Sequence, residues 1–283
     1  MKKLSILFTS WLLFFCLLAQ EERSNSWVNR STLIGIGGTS LFDTYLSPLP
    51  YTGTSFAILH DRLQGTRLFQ EQLLIQQQFE LQFANTTNPV GNAVQYFLNF
   101  SYHLNGFFPI VDVNDFRLFV GGGLDASLGG IWNMRNSNNP GSAKASSNLN
   151  MAVMARYNLY LPFWNRNRVT FRWQLNSPFA GVFFAPGFGQ SYYEMFELGN
   201  RSGTTHFGSF HNQQALRNYF TVDIPLRNVT LRTGYLGNFY RTDVNYLITR
   251  ISTHQFMVGL AWETLSLGGR RNRDMIRENS VFY

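Results

Sequence analysis

Apolar and polar residues alternate one by one along most of the chain, in separate blocks of roughly ten residues. In 71–83, Leu73, Ile75, Phe79, Leu81 and Phe83 fall on one face, and Gln72, Gln76, Gln78, Glu80 and Gln82 fall mainly on the other. In 94–104, Val94, Tyr96, Leu98, Phe100, Tyr102 and Leu104 oppose Gln95, Asn99, Ser101 and His103. The pattern returns at 116–128, 149–159, 169–175, 220–224, 229–235 and 255–263, and more weakly at 31–38 and 53–63. A period of two is the mark of a strand with one apolar and one polar face, so the chain reads as all-β with about ten strands.

Alternation alone also fits a soluble β-sandwich, and the connections discriminate. The odd ones, roughly 39–52, 85–92, 131–147, 178–212 and 240–249, are mostly long. The even ones, near 64–67, 105–114, 163–167 and 225–228, are mostly tight. That layout predicts a closed antiparallel up-and-down transmembrane β-barrel with short periplasmic turns and long extracellular loops. All 9 prolines read as lying in connections or at strand ends, as continuous ladders require.

The N-terminus supplies the compartment. Lys2 and Lys3 precede an apolar run to Leu18, and Glu21, Glu22 and Arg23 follow it, the layout of a cleavable export signal. The expected organisation is a signal peptide over 1–20, a short lead over 21–29, the barrel over 30–267 and a basic periplasmic tail over 268–283. Cys16, the only cysteine, lies inside the signal after Phe15, which argues against both disulfides and lipidation. The expected location is the outer membrane of a Gram-negative bacterium, with outer-membrane lipid and other envelope proteins as partners. The net charge of +7 does not indicate nucleic acid, because the arginines are spread singly through strand-like segments.

About ten strands enclose only slightly more space than the ~8 whose interior side chains fill the lumen, far from the ~16 of an open porin. The expected lumen-lining residues are Glu80, Asn99, His103, Arg117, Asp125, Arg156, Arg172, Asp223, Arg232 and Glu263. The charges among them balance, so mutual pairing is the economical arrangement. Asp223, Arg232 and Glu263 on consecutive strands suggest one such bridge. The glycines of "GGGLDASLGG" lack a phosphate-loop lysine and read as a strand where the wall closes tightly. Trp173 and Trp262 fall on the apolar face and Trp164 in a periplasmic turn, positions suited to a lipid boundary.

For catalysis, Ser209 and His211 stand two apart, on one face of a strand, and an acid such as Glu194 or Glu197 would have to complete a hydrolase site. The order of these residues reverses that of outer-membrane lipid A deacylases, and a two-residue match is common by chance. No catalytic site is therefore assigned, and a lipid hydrolase or acyltransferase stands as the alternative. His60, His103, His206 and His254 show no metal spacing, so neither metal nor cofactor is expected. The segment "PFAGVFFAPGFGQSYYEMFELGN" (178–200) is too apolar for a free loop. Phe184, Tyr192, Tyr193 and Phe196 are expected to form an extracellular lid, or an extra hairpin that raises the strand count to twelve.

The phrases "FDTYLSPLPYTG" (42–53), "YFLNFSYHLN" (96–105), "NMRNSNNPGSAKASSNLN" (133–150), "GVFFAPGFGQSYYEMFELGN" (181–200) and "FGSFHNQQALRNYFTVDIP" (207–225) resemble an uncharacterised outer-membrane β-barrel family of Bacteroidetes, a domain of unknown function. The resemblance implies the barrel and its compartment and brings no reaction. The expected role is a non-enzymatic structural or binding component of the envelope with a plugged lumen. A narrow selective solute channel is the third possibility.

Overall fold

A computed structural model describes residues 26–66, 73–137, 139–161, 168–226 and 229–266. The expected signal peptide, Trp164 and the basic tail lie outside them. The strands are β1 (Ser26–Asp43), β2 (Tyr51–Gly65), β3 (Leu74–Thr87), β4 (Val94–Val113), β5 (Phe116–Asn133), β6 (Gly141–Tyr160), β7 (Arg168–Phe184), β8 (Thr205–Ser209), β9 (Gln213–Pro225), β10 (Thr230–Val244) and β11 (Leu247–Ser266). One short helix, α1 (Tyr192–Phe196), precedes β8.

Neighbours in sequence pair antiparallel except β8 and β9, and two further pairings close the ring: β1 with β11, and β7 with β9. The wall therefore has ten strands, in the ring order β1 to β7, then β9, β10 and β11. β8 extends the wall beside the upper end of β7, from Ala180↔Ser209 to Phe184↔Thr205. The twelve-strand alternative is corrected: the aromatic stretch forms a helical turn instead of a hairpin.

The parity read from the sequence places the faces. Leu149, Met151, Val153, Tyr157 and Leu159 of β6 point outward and are exposed, whereas Asn148, Asn150, Ala152, Met154 and Arg156 are buried inside. The outward run from Leu149 to Leu159 covers about 33 Å of strand at ~3.3 Å per residue, or roughly 25 Å of height at a tilt near 40°. That is the height of a bilayer-matched apolar band. Trp173 and Trp262 also face outward, and the Trp173 indole N–H donates to the Asn218 side chain (2.9 Å).

Three expectations about the connections fail. The ninth is a two-residue turn, Asn245 and Tyr246, both at positive φ (53° and 60°), as a primed hairpin turn requires. The second connection, 66–73, is no shorter than the first, 44–50, so only the segment between β7 and β9 is distinctly long. Pro109 and Pro178 lie within strands. A register shift follows Pro109 in the pairing with β5, and the other places Asn150 opposite Pro178 and Leu149 opposite Ala180. Bulges are where a wall tolerates a residue without an N–H.

β5 approaches β4 so closely that a Cβ on Gly123 would lie 1.7 Å from the Leu104 carbonyl oxygen. The glycine-rich phrase thus reads correctly as a place where the wall closes.

Candidate functional site

The interior is built from residues two apart on each strand, and three buried apolar clusters alternate with charged side chains. Leu63, Leu74, Phe107, Phe119, Ala152 and Met154 fill the lower part, toward the end that holds β1's start and β11's finish. Leu33, Leu59, Tyr219, Leu236 and Met257 pack at mid-height. Leu41, Leu46, Tyr51, Phe97, Ile131 and Ile251 pack under the upper mouth.

Among the described residues, three ion pairs cross the lumen between strands five places apart in the ten-strand ring, which is a full diameter. Near the base, Arg172 of β7 reaches Asp61 of β2 (2.5 Å). At mid-height, Arg217 of β9 reaches Glu80 of β3 (3.0 Å). Under the upper mouth, Lys144 of β6 reaches Asp43 of β1 (2.8 Å). Side chains of this length can meet across a diameter only where the bore is narrow.

Each bridge is embedded in hydrogen bonds, as buried charge requires. Arg232 donates to both carboxylate oxygens of Asp223 (2.6 Å each), to Ser31 (2.7 Å), to Asn29 (3.0 Å) and to Asp61 (3.3 Å). Gln76 and Gln78 donate to the other oxygen of Asp61 (3.0 and 3.1 Å). Glu80 accepts further bonds from Gln82 (2.6 Å) and Asn238 (2.7 Å). Tyr219, fully buried, lies between the guanidiniums of Arg172 (5.2 Å) and Arg217 (5.5 Å). Beside Glu80, the His103 ring meets Asp125 at 2.7 Å.

These positions correct several expectations. The pair Asp223–Arg232 forms, but its third member is Asp61, whereas Glu263 sits opposite Asn29 nearer the lower end. Arg117 is half-exposed at the lower mouth, paired with Asp112 (2.9 Å). Arg156 is buried with its guanidinium 5.8 Å from the Phe119 ring. Asn99 lines an interior cavity and donates to Ser101 (2.8 Å). The sequence reading missed Asp61, Arg217, Lys144 and Asp43. Inward parity in "QQALRNYFTVD" (213–223) carries the signal for Arg217, in the series Gln213, Arg217, Tyr219, Thr221 and Asp223.

The long segment closes over the upper mouth. Ser191 caps α1: its hydroxyl accepts the Glu194 N–H (3.2 Å), and its own N–H donates to the Glu194 carboxylate (2.9 Å). Tyr192 spans the opening. Its hydroxyl accepts the Ala143 N–H of β6 (2.5 Å), and its ring meets Tyr45 of the β1–β2 loop edge-on at 6.1 Å. Tyr45 donates to the Gln190 carbonyl (2.8 Å). Of the expected lid residues, Phe184 at 6.5 Å and Phe196, stacked at 6.1 Å with its outer face exposed, both lie against the Tyr192 ring, whereas Tyr193 is exposed. Met195, which is buried, takes the inward place. Burial and the neighbouring Tyr192, Asp43 and Glu194 push the Tyr45 phenol up to about 12, and burial also raises Tyr192.

Ser209 and His211 do come together, at 2.5 Å, on the exposed rim. Glu194, one of the two acids considered for a hydrolase triad, bonds Ser191 as a helix cap and not His211.

Comparison with known proteins adds the family. Residues 4–271 match the family described as "Protein of unknown function (DUF3316)", and the chain belongs to it. No curated protein matches the chain. Among solved structures it is similar to the transport unit of the autotransporter AIDA-I from Escherichia coli, at 10% identity over 88% of this chain and 92% of that one, with a TM-score of 0.44. It is also similar to the translocator domain of the autotransporter NalP from Neisseria meningitidis, at 10% identity over 90% and 94%, with a TM-score of 0.38. Both are bacterial outer-membrane barrels. At these identities and scores the closed ladder of this chain itself is the ground for its architecture.

Proposed function

We propose that the protein is a closed outer-membrane barrel that acts as a structural or binding component of a Gram-negative envelope and conducts no solute. The observation that carries this reading is the set of diametric bridges, Asp61–Arg172, Glu80–Arg217 and Asp43–Lys144, stacked with three apolar clusters under a lid. An aqueous path would have to break buried, hydrogen-bonded ion pairs at successive heights, each breakage costing several kcal/mol. The apolar outer band supports membrane insertion, and the exposed Tyr193, Phe196 and Leu198 supply a surface for envelope partners. Proteoliposome swelling in small sugars tests the closed lumen: no swelling beyond empty liposomes is expected, and sugar-dependent swelling overturns it. Co-purification from native membranes then identifies the bound component.

A lipid hydrolase is the second reading, favoured by the contact between Ser209 and His211. Release of acyl chains by the purified barrel, lost in Ser209→Ala, would establish it in place of the binding role.

A further inference from the structure

Among the described residues, the ladder on the β9 side of β7 is interrupted at a seam. β7 and β9 pair from Thr170↔Asp223 to Asn176↔Arg217, and β7 next pairs at Ala180, with Ser209 of β8. Between these points Pro178 has no N–H to give, and the register with β6 shifts beside it. A side chain takes over one lost ladder bond: the Ser177 hydroxyl donates to the Ala215 carbonyl (2.9 Å). Inside the seam lies a cavity of about 130 Å³, and Asn176, Pro178, Ala215 and Arg217 from its two sides are part of the lining. The cavity sits between the bridge of Glu80 with Arg217 and the upper Lys144.

The lining joins rings and aliphatic groups, such as Phe97, Tyr240 and Ile251, to amides, hydroxyls and the charged Glu80, Asp125, Lys144 and Arg217. Three polar atoms of this lining are buried without a hydrogen-bond partner, His103 Nε2, Asn148 Oδ1 and Asn176 Nδ2, and of these His103 Nε2 lies 3.9 Å from the Glu80 carboxylate. Buried orphan groups of this kind mark a place where a further polar atom belongs. An apolar cavity of about 150 Å³ holds one benzene ring, so by volume this one suits a ligand of similar size, and its amide and charged lining calls for a polar group on that ligand. We propose that the cavity binds a small amphiphile from the bilayer, an aryl or short alkyl group bearing one hydroxyl or carbonyl, which enters through the seam between β7 and β9. The apolar part takes the space beside Phe97 and Ile251, and the oxygen meets Asn176 Nδ2 or His103 Nε2.

This inference rests on the closed-lumen reading, since a solvent-filled bore would make a side entry unnecessary. The two are separated by thiol labelling in liposomes in a Cys16→Ala background, which removes the chain's single cysteine. Ser127→Cys, which lines the cavity, is the reporter, with Ser146→Cys as the second should the first fold poorly. Both are checked for the heat-dependent gel shift of a folded barrel. Bilayer-partitioning N-ethylmaleimide is expected to modify the thiol, whereas a charged methanethiosulfonate is not. Phenol at saturation should slow the maleimide reaction at least tenfold. A cross-link between Ser177→Cys and Leu216→Cys, next in register above Asn176↔Arg217, should abolish the reaction, and reduction of the cross-link should restore it. Equal modification by the charged reagent would overturn the closed lumen along with the side entry. No modification by either reagent, no slowing by phenol, or no effect of the cross-link would overturn this inference and leave the closed lumen standing.

Discussion

Asp61→Asn is the sharpest perturbation of the bridged interior. The side chain is fully buried and keeps its shape, and its amide oxygen can still accept from Gln76 and Gln78, whereas the amide NH2 then faces the guanidiniums of Arg172 and Arg232, so the change removes the charge and the acceptor of both arginines. The base layer holds Arg172 and Arg232 against Asp61 and Asp223, two charges of each sign. The variant leaves one buried guanidinium uncompensated. At an effective dielectric near 20, a unit pair 3–4 Å apart interacts by roughly 4–5 kcal/mol. Breaking one member of a buried pair costs about 3–5 kcal/mol in practice. The expected loss is therefore on the order of 3–5 kcal/mol, or about two to four decades in the unfolding constant. Reversible urea unfolding in short-chain lipid vesicles, followed by tryptophan fluorescence, measures it. Arg172→Gln added to Asp61→Asn should cost at least ~1 kcal/mol less than the sum of the two single changes, because neutrality returns. A single variant within ~0.5 kcal/mol of wild type, or strict additivity in the double, would refute the claim that these charges hold the lumen.

The other expectations concern the mid-height bridge, the lid and the wall. Arg217→Met should destabilise less than Asp61→Asn, because Glu80 keeps Gln82 and Asn238 as donors; equal unfolding midpoints for the two variants would contradict the ranking. Tyr192→Phe removes the acceptor of the Ala143 N–H, worth roughly 0.5–1.5 kcal/mol, and limited proteolysis within 197–204 should accelerate several-fold while the ten-strand wall stays intact. The Tyr45 and Tyr192 phenols ionise at higher pH in the folded lid than in the unfolded chain, where the value is about 10. The contribution of each is thus full below pH ~10 and is lost as pH rises through its raised folded-state value, about 12 for Tyr45, visible as late phenolate absorbance that Tyr45→Phe diminishes. Gly123→Ala pushes a methyl into the Leu104 carbonyl and should cost about 1–3 kcal/mol; an unchanged urea midpoint would show that the wall can yield there.

Parity along each strand is legible from the sequence because it needs only the two-residue period, and Glu80, Arg172, Asp223 and Arg232, which it places on inward faces, are buried. Parity gives a face and no bearing around the ring. Asp61 and Arg172 are partners because β2 and β7 stand five places apart once ten strands close, and that relation follows from closure and register. Arg217 was hidden by the assignment of 178–212 as a loop, which delayed the start of β9 to the clear alternation at 220. The tight turn inside the connection read over 240–249 is hidden because it places Tyr246, a bulky residue, at positive φ, where Gly or Asn is the usual signal. Asn245 beside it was the half of that signal the chain does carry. The aromatic stretch at 178–200 is too apolar to be free, and Phe184, Tyr192 and Met195 within it pack against neighbours. Its division into inward Tyr192 and Met195 and exposed Tyr193, Phe196 and Leu198 follows from the capped turn at Ser191, which the sequence shows as Ser191 three residues before Glu194.

Single-channel recording in planar bilayers addresses the closed lumen most directly, with the purified wild-type barrel and the variant Arg172→Ala/Arg217→Ala/Lys144→Ala, which removes the cation of every diametric bridge. The wild type is expected to insert without discrete conductance steps at any applied voltage, and the triple variant, where it inserts, to show them. Stable stepwise conductance from the wild-type barrel would contradict the account.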